Sequence, residues 1–413
     1  MHPAERALAE SGTPSARKER SWLFSFLIAP DAVIAVGLID GALSYLLRDE
    51  GVNPARAASI VALLTLPHTI YFLWGPVTDF FVRRRTWLLL AAGLSTLTLL
   101  LAFHQPRLSS TRGIALLFIT ACIAVMVPAA CGGMMGTLRS EVSRRRAGSF
   151  YQSGSLTFGA IATFVVVSYS GHFSLFALGC MIAALVALPA LSAFATPAEP
   201  VLSGNARETA LRVWREFKST FLRWEAIPYV LLVTFPMCSG GMLGLLPELA
   251  RDYGVSGSGV AWINGVAGAL LTTLGALAVS LIPVRVRASV AYLLAGLANA
   301  AALAILAVGP LRPFVYYTST VLFLFTIGAC YALFTGVSLE FLGSSGKSGS
   351  SRYAIINSFG NLPVAYMSWV DGRGYAHWGP RGMPAADAVV STIGAAVLLA
   401  YFVFGRRKPP IEN

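Results

Sequence analysis

Charged side chains are scarce in this chain. Asp, Glu, Lys and Arg make up only 12% of its 413 residues, against about 25% in an ordinary soluble chain. Acidic residues are the rarer kind, 19 against 31 basic, and there are five histidines. That shortage excludes a large water-facing domain, and a hydrophobic content of 56% with a mean hydropathy of +0.67 points to lipid as the main solvent. Paired cysteines are missing too. Cys122, Cys131, Cys180, Cys238 and Cys330 fall singly inside apolar runs, which excludes a disulfide framework and reads as inert buried thiols.

Enzyme signatures are equally thin: no HExxH, no GxSxG and no Cys/His cluster occurs. The stretch Gly343-Ser344-Ser345-Gly346-Lys347-Ser348 looks like a phosphate loop. A true one needs four residues between its glycines and a preceding strand, so ATP binding is rejected. No catalysis, no cofactor and no metal are predicted. The polar first 21 residues lack the apolar core of a cleaved signal, so the first span is expected to serve as the insertion signal.

What is present is a succession of long apolar runs. About 20 apolar residues cross a bilayer, and twelve runs qualify: 22–47, 57–81, 87–104, 113–138, 149–170, 173–195, 226–249, 257–282, 288–308, 313–341, 352–370 and 384–405. One long polar interval, 196–225, separates the first six from the last six. The expected organisation is a tail (1–21), a six-helix bundle (22–195), a linker (196–225), a second six-helix bundle (226–405) and a tail (406–413). Both tails are expected in the cytoplasm of a cell with an inner membrane. With that topology 23 of the 31 Lys and Arg lie on the inner side, an excess that fixes orientation. The net charge of +12 therefore belongs to topology, and no nucleic-acid partner is needed. Within the linker, 206–224 reads as an amphipathic helix, with Leu211, Trp214, Phe217, Phe221 and Trp224 at helical spacing among basic residues. Such a helix lies on a membrane surface.

The halves repeat. Arg48-Asp49-Glu50-Gly51-Val52 ends the first span and Arg251-Asp252-Tyr253-Gly254-Val255 ends the seventh, 203 positions later. The same offset carries the basic hairpin Arg83–Arg85 to the neighbourhood of Arg285 and Arg287. Six passes leave both copies in the same orientation, a parallel repeat whose substrate site falls between the halves near the midplane.

Intramembrane polar residues are the candidates for function. Asp31 lies nine residues into the first span, ~13 Å deep at ~1.5 Å per residue. Such a carboxyl can take a proton on one side and release it on the other, which makes Asp31 the candidate proton-coupling site. Asp40 follows nine residues later, about 900° of α-helical rotation, so regular geometry points it away from Asp31 and excludes one acid pair. Tyr45, His68, Tyr71, Trp74, Gln152, Asn264, Asn299, Tyr331, Asn357 and Asn361 are candidate substrate contacts, though each could equally hydrogen-bond a neighbouring helix. Asp79, Arg83, Arg84, Arg85, Arg139, Glu141, Glu340, Lys347 and Arg352 collect at inner helix ends and are expected to gate by salt bridges between the bundles. Solvated surface charge would look the same. Prolines and glycines break the seventh span (Pro228, Pro236, Gly240, Gly241, Gly244, Pro247) and the fourth (Pro128, Gly132, Gly133, Gly136), which suits bending elements or close packing alike.

Gly75-Pro76-Val77-Thr78-Asp79 followed by Arg83-Arg84-Arg85 resembles the signature between helices two and three of the major facilitator superfamily. Phe80 and Val82 stand where that signature has a basic residue and a glycine. A narrower resemblance is carried by Leu47-Arg48-Asp49-Glu50-Gly51-Val52, Leu66-Pro67 and Phe72-Leu73-Trp74-Gly75-Pro76. Ser351-Arg352-Tyr353-Ala354, Asn361-Leu362-Pro363 and Trp369-Val370-Asp371-Gly372 add to it. Together they look like the muropeptide permease and acetyl-CoA transporter branch, related to some siderophore importers. Tyr71 departs from that branch, which often has a lysine there. The resemblance implies an all-α integral membrane protein whose 12 transmembrane helices form two parallel six-helix bundles. It also implies a secondary transporter of a polar organic solute such as a muropeptide, siderophore or acyl-carrier compound, and with Asp31 as the coupling carboxyl the expectation is a monomeric, proton-coupled one. Efflux of amphipathic drugs is the alternative, and a membrane sensor or acyltransferase is the alternative outside transport.

Overall fold

The computed structural model describes residues 20–404 apart from 53, 80–81, 139, 197–205, 257–258, 261, 284 and 343–348. Arg139, Lys347 and the phosphate-loop-like stretch lie outside the described residues. The described chain is helical throughout. Nine helices are long and apolar enough to cross a membrane, and a bent pair makes a tenth. One apolar stretch, Ser350–Phe402, holds two antiparallel passes, and one broken helix completes twelve.

In order they are α1 (Ser21–Ala42, continued by Leu43–Asp49), α2 (Pro54–Thr69, then Tyr71–Leu73 and Gly75–Thr78), α3 (Arg84–Phe103), α4 (Thr111–Gly136), α5 (Glu141–Tyr169) and α6 (Leu175–Ala195). The linker helix Ala206–Phe221 follows. The second set is α7 (Ile227–Thr234 and Gly241–Leu249), α8 (Trp262–Leu281), α9 (Ala288–Val308), α10 (Pro313–Leu342), α11 (Gly349–Trp378) and α12 (Gly382–Phe404). Serines start three of them: the side chains of Ser110, Ser140 and Ser174 accept from the backbone N–H three residues on, filling donors a helix start leaves open. The cap at Ser140 starts α5 eight residues before the hydrophobic run at 149 does. Arg144–Arg146 are therefore in the first turns of the helix, not in a loop. Likewise α11 runs on to Trp378, leaving only Gly379–Arg381 between it and α12.

The repeat has a geometric counterpart. Gly51 and Gly254 both take a positive φ (82° and 71°), and the following N–H reaches back five residues in each: Val52 to Leu47 O at 3.0 Å, Val255 to Ala250 O at 2.9 Å. This is the glycine-terminated C-cap, in which left-handed backbone costs least at glycine. At the other ends, α3 and α9 start behind the extended residues Arg83 and Arg287.

One regularity assumed above fails. From Val33 to Ala42, α1 is wound as a π-helix, with the Leu43 N–H bonded to Leu38 O. A wider winding takes more than four residues per turn, so nine residues make about two turns rather than two and a half. Asp40 comes round to the face of Asp31 and feels its charge. The expectation that they point apart is corrected.

Packing divides the molecule along its length. One continuous core joins the second set of helices to the basic end of the first, running from Leu23, Phe24 and Leu27 through Leu88 and Val127 to Leu333 and Tyr353. A separate core, with Leu38, Leu64, Phe103 and Ile182, belongs to the first set alone at its other end. Among the described residues, the largest apolar packing shared by the halves is at the basic end, with a smaller cluster of Tyr71, Val125, Ala129 and Ala354 above it. The linker helix docks at the basic end through Phe221, buried against Phe341 and Phe359 at ring distances of 5.8 and 6.2 Å. Leu211 and Trp214 stay exposed, and Trp224 lies beyond the helix, 84% exposed.

Candidate functional site

Two polar constellations stand between the halves, one at mid-depth and one at the basic end. The first begins with Asp31, on a helical turn that Pro30 opens. Its carboxylate Oδ1 is 2.8 Å from His68 Nε2, and the carboxylate is buried while the imidazole is half-buried. His68 sits in α2 just after Pro67, one residue before a 44° bend. Its backbone carbonyl accepts from Asn361 Nδ2 at 3.3 Å. His68 therefore joins α1 through its ring and α11, in the other half, through its main chain. Asp40 adds a second carboxylate whose charge acts on His68. Beyond the bend, Phe72 N donates to Ser358 Oγ of α11 at 3.1 Å.

Tyr71 lies beneath this group, buried, with its hydroxyl unpaired. Tyr151 of α5, Tyr353 of α11, Cys131 of α4 and Asp31 are near enough to act on it. Trp74, Val125, Ala129 and Ala354 pack around it. The Tyr353 ring lies over Gly132, where a β-carbon would overlap it. Together these form a floor of tyrosines under the Asp31–His68 pair.

The other candidates scatter. Tyr45 is exposed on α1 and Gln152 half-buried on α5. Asn264 donates to Tyr316 Oη at 3.0 Å, and Tyr316 donates to Leu246 O at 3.1 Å, tying α8, α10 and α7. Asn299 is buried and bonds Thr326 Oγ1 at 2.9 Å across α9 and α10. Asn357 bonds its own helix at Tyr353 O. Tyr331 is half-buried, its hydroxyl against Gly240 in the break of α7.

That break runs from Phe235 to Gly240, with left-handed backbone at Cys238 and Gly240 (φ 52° and 76°). Tyr292 donates to Met237 O at 3.4 Å and Ser391 to Pro236 O at 2.6 Å. The carbonyls freed by unwinding are satisfied by side chains, as a buried backbone requires.

At the basic end the central group is Asp79, 0% exposed. It receives Arg84 Nη2 at 2.9 Å and Arg84 Nε at 3.2 Å from its own half. From α11 it receives Ser350 N at 3.3 Å, Ser351 N at 2.9 Å and Ser351 Oγ at 2.7 Å. A carboxylate thus caps the positive end of a helix belonging to the opposite half. Arg84 completes the link, with Nε 3.0 Å from Ser350 Oγ and Nη1 3.4 Å from Gly133 O. Glycine is needed here: a β-carbon on Gly133 would strike the Arg84 side chain, and one on Gly75 would come within 2.8 Å of Ser351 Cα.

The remaining gate candidates pair differently from the expected cross-bundle salt bridges. Glu141 meets Arg145 one turn along its own helix at 3.4 Å. Glu340 caps α9 at the Ala288 N–H (2.9 Å) and lies 3.8 Å from Arg287, within the second half. Arg352 reaches Thr220 of the linker helix at 3.5 Å. Arg83 and Arg85 flank the staple, half-buried. What crosses is Arg145 Nη1 to Pro283 O at 3.2 Å, Ser149 Oγ to Ala276 O, and the Thr157–Thr273 hydroxyl pair at 3.3 Å. At the opposite end, Glu50 bonds the Leu108 and Ser109 N–H groups and Tyr253 bonds Leu306 O, each within its own half. The halves are pinned at the basic end.

Sequence reasoning missed Ser350 and Ser351, whose role is to start α11 beneath Asp79, and it missed Arg145, one of three adjacent arginines. It also passed over Asp387, although a carboxylate inside an apolar run is a visible signal.

Comparison with known proteins gives a family and a fold. A model described as Major Facilitator Superfamily matches residues 26–368. No curated protein matches the chain. Among solved structures, the human organic anion transporter MFSD10 (TETRAN) is similar at a TM-score of 0.67 and 16% identity, covering 94% of this chain and 100% of that one. The proton:xylose symporter XylE, bound to 6-bromo-6-deoxy-D-glucose, gives 0.64 and 14% over 93% and 94%. The E. coli fucose:proton symporter FucP gives 0.64 and 16% over 94% and 100%. At such identities the likeness extends to fold.

Proposed function

The chain belongs to the Major Facilitator Superfamily, and from that premise we propose that it is a proton-coupled symporter of a polar organic solute, with Asp31 as the proton-coupling site. One observation carries the reading. His68 is held by Asp31 through its ring and by Asn361 of the opposite half through its carbonyl, so a change of protonation at Asp31 falls one residue away from an inter-half contact. Protonating Asp31 removes the charge that attracts the imidazole. The His68 ring is then free to turn, and α2 can shift at its bend against α11. With the halves pinned at the basic end, we assign access to this group to the other side. The positive-inside bias makes that side external. Solute and proton enter there, and release follows when the Asp79 staple parts and the opposite ends close.

The unpaired Tyr71 hydroxyl in the tyrosine floor supplies a hydrogen-bonding position for the solute, and Tyr45, Gln152 and Asn357 remain candidate contacts elsewhere. The cargo classes we assign are muropeptides, siderophores or acyl-carrier compounds, which the motifs at 47–52, 66–76 and 351–372 suggest. The protein works as a monomer in an inner membrane with both termini in the cytoplasm.

A thermal-shift screen of the purified protein against muropeptides, siderophores and nucleotide-linked acyl donors identifies the cargo. Uptake of the stabilising compound into liposomes under an imposed pH gradient then tests coupling. Accumulation that is indifferent to the gradient would refute it.

A further inference from the structure

A second pair of carboxylates is buried outside both polar constellations described above. Asp371 lies seven residues before the end of α11, and Asp387 five residues after the start of α12. They therefore face each other at one depth, beside the hairpin Gly379–Arg381. Asp371 is 0% exposed, and both its carboxyl oxygens lack a hydrogen-bond donor. Asp387 is 5% exposed. Two buried like charges without a cation are costly, because neither water nor a counter-ion offsets the desolvation.

No cation answers them among the described residues. The arginines of this hairpin are turned elsewhere: Arg373 lies over the Trp369 ring at 5.1 Å, and Arg381 acts on Tyr253. From α7 the titratable group near the pair is Cys238, a neutral thiol whose surroundings include Asp387. Tyr292 of α9 and Cys330 and Tyr331 of α10 act on Cys238, one step removed. Asp252, in the loop after α7, is 3.3 Å from Tyr375 Oη instead.

Hydrogen-bond accounting points the same way. Ser391 Oγ lies 2.6 Å from Pro236 O and 2.9 Å from Asp387 Oδ1. The serine has one proton and the carbonyl can only accept, so the shorter contact takes that proton. Asp387 is left at most a share of it and Asp371 has no donor at all, a shortage that a proton held between the two carboxyl groups makes good.

We propose that Asp371 and Asp387 form a second proton-binding site, in which the two facing carboxyls hold a proton and Ser391 ties them to the unwound segment of α7. While the proton is present, the α11–α12 contact carries no pair of like charges. When it leaves, the two carboxylates repel, and the strain falls on the Ser391–Pro236 link at the break of α7. The broken helix α7 thus has a proton-sensitive anchor of its own. The occupancy of this site does not depend on the coupling role of Asp31.

Infrared spectroscopy of the full-length protein, purified in detergent and labelled with carboxyl-13C aspartate, tests the site without transport. In the wild type at neutral pH, the carbonyl stretch of a protonated aspartic acid is expected, downshifted by the label. It should persist in the Asp31→Asn/Asp40→Asn variant and be lost in Asp371→Asn and in Asp387→Asn. Since Asn keeps the size of a neutral acid, both variants should melt no lower than the wild type. If a variant yields no folded protein, the labelled Asp31→Asn/Asp40→Asn protein still decides. Absence of the band there overturns the proposal, as does a band that survives in Asp371→Asn and Asp387→Asn. A band abolished by exchanging choline for sodium at constant ionic strength would also overturn it, because a metal ion would then be the occupant. Loss of gradient-driven uptake in Asp31→Asn with the band intact would leave both sites standing.

Discussion

Replacing Asp79 by Asn should unpin the basic end, and the bonds around Asp79 say by how much. Its contacts with Arg84 lie within the first half and persist when the halves separate, so they cancel from the equilibrium between pinned and unpinned states. Three bonds do cross, from Ser350 N, Ser351 N and Ser351 Oγ. Hydrogen bonds to a charged partner contribute about 1.5–3 kcal/mol each, against about 1 kcal/mol for neutral ones. An amide oxygen in place of the carboxylate can still accept one or two of them, so the loss is about 3 kcal/mol, or ~150-fold in the equilibrium at ~1.4 kcal/mol per factor of ten. Arg146 and Arg285 are exposed on opposite halves, beside the Arg145–Pro283 contact. Spin labels on cysteines at those two positions, with the native cysteines removed, would report the separation by pulsed dipolar spectroscopy. The parent should give one short distance, and Asp79→Asn should add a longer population of comparable or greater weight. An unchanged distribution would refute the reasoning, because it would mean that α11 needs no carboxylate to stay docked.

Further outcomes follow from other contacts. Asp31→Asn should abolish pH-gradient-driven accumulation while leaving solute counterflow measurable; equal loss of both would point to misfolding or lost binding instead. Gly75→Ala places a β-carbon 2.8 Å from Ser351 Cα and Ala354 Cβ, so it should move the same spin-label distance toward the longer population without touching a charge. Tyr253→Phe removes a buried 2.6 Å hydrogen bond to Leu306 O and should cost about 1 kcal/mol, read as a lower melting temperature. Burial raises the Tyr253 phenol to about 12, from about 10 in an unfolded chain. Its contribution is therefore complete below pH ~10 and lost as pH rises through the folded value. The stability gap between wild type and Tyr253→Phe should close over that alkaline range and stay constant below it.

Much was legible in the chain itself because lipid imposes a simple rule. A residue count and the absence of charge mark each pass, and the arginines between passes mark one end. Hence the many-span helical fold, the parallel repeat with its recurring Gly51 and Gly254, and the presence of acids at Asp31 and Asp79 that need partners could all be read in advance. Boundaries that depended on capping were missed, as at Ser140, because a serine and three arginines look like loop until the helix claims them.

The partners of these residues were decided in three dimensions. That Asp79 holds the N-terminus of α11 requires two segments about 270 residues apart to meet, and no local pattern records that meeting. Asp40 joined Asp31 because α1 is wound wide over ten residues, whereas composition and a 3.6-residue period place it on the far side. Asp371 and Asp387 are each an isolated acid in an apolar helix; only the antiparallel packing of α11 on α12 makes them a pair. The sequence determined which groups had to find partners inside a membrane, since a charge left alone there is too costly to keep. Tertiary structure decided which partner each one found, because that choice rests on distances the linear order does not contain.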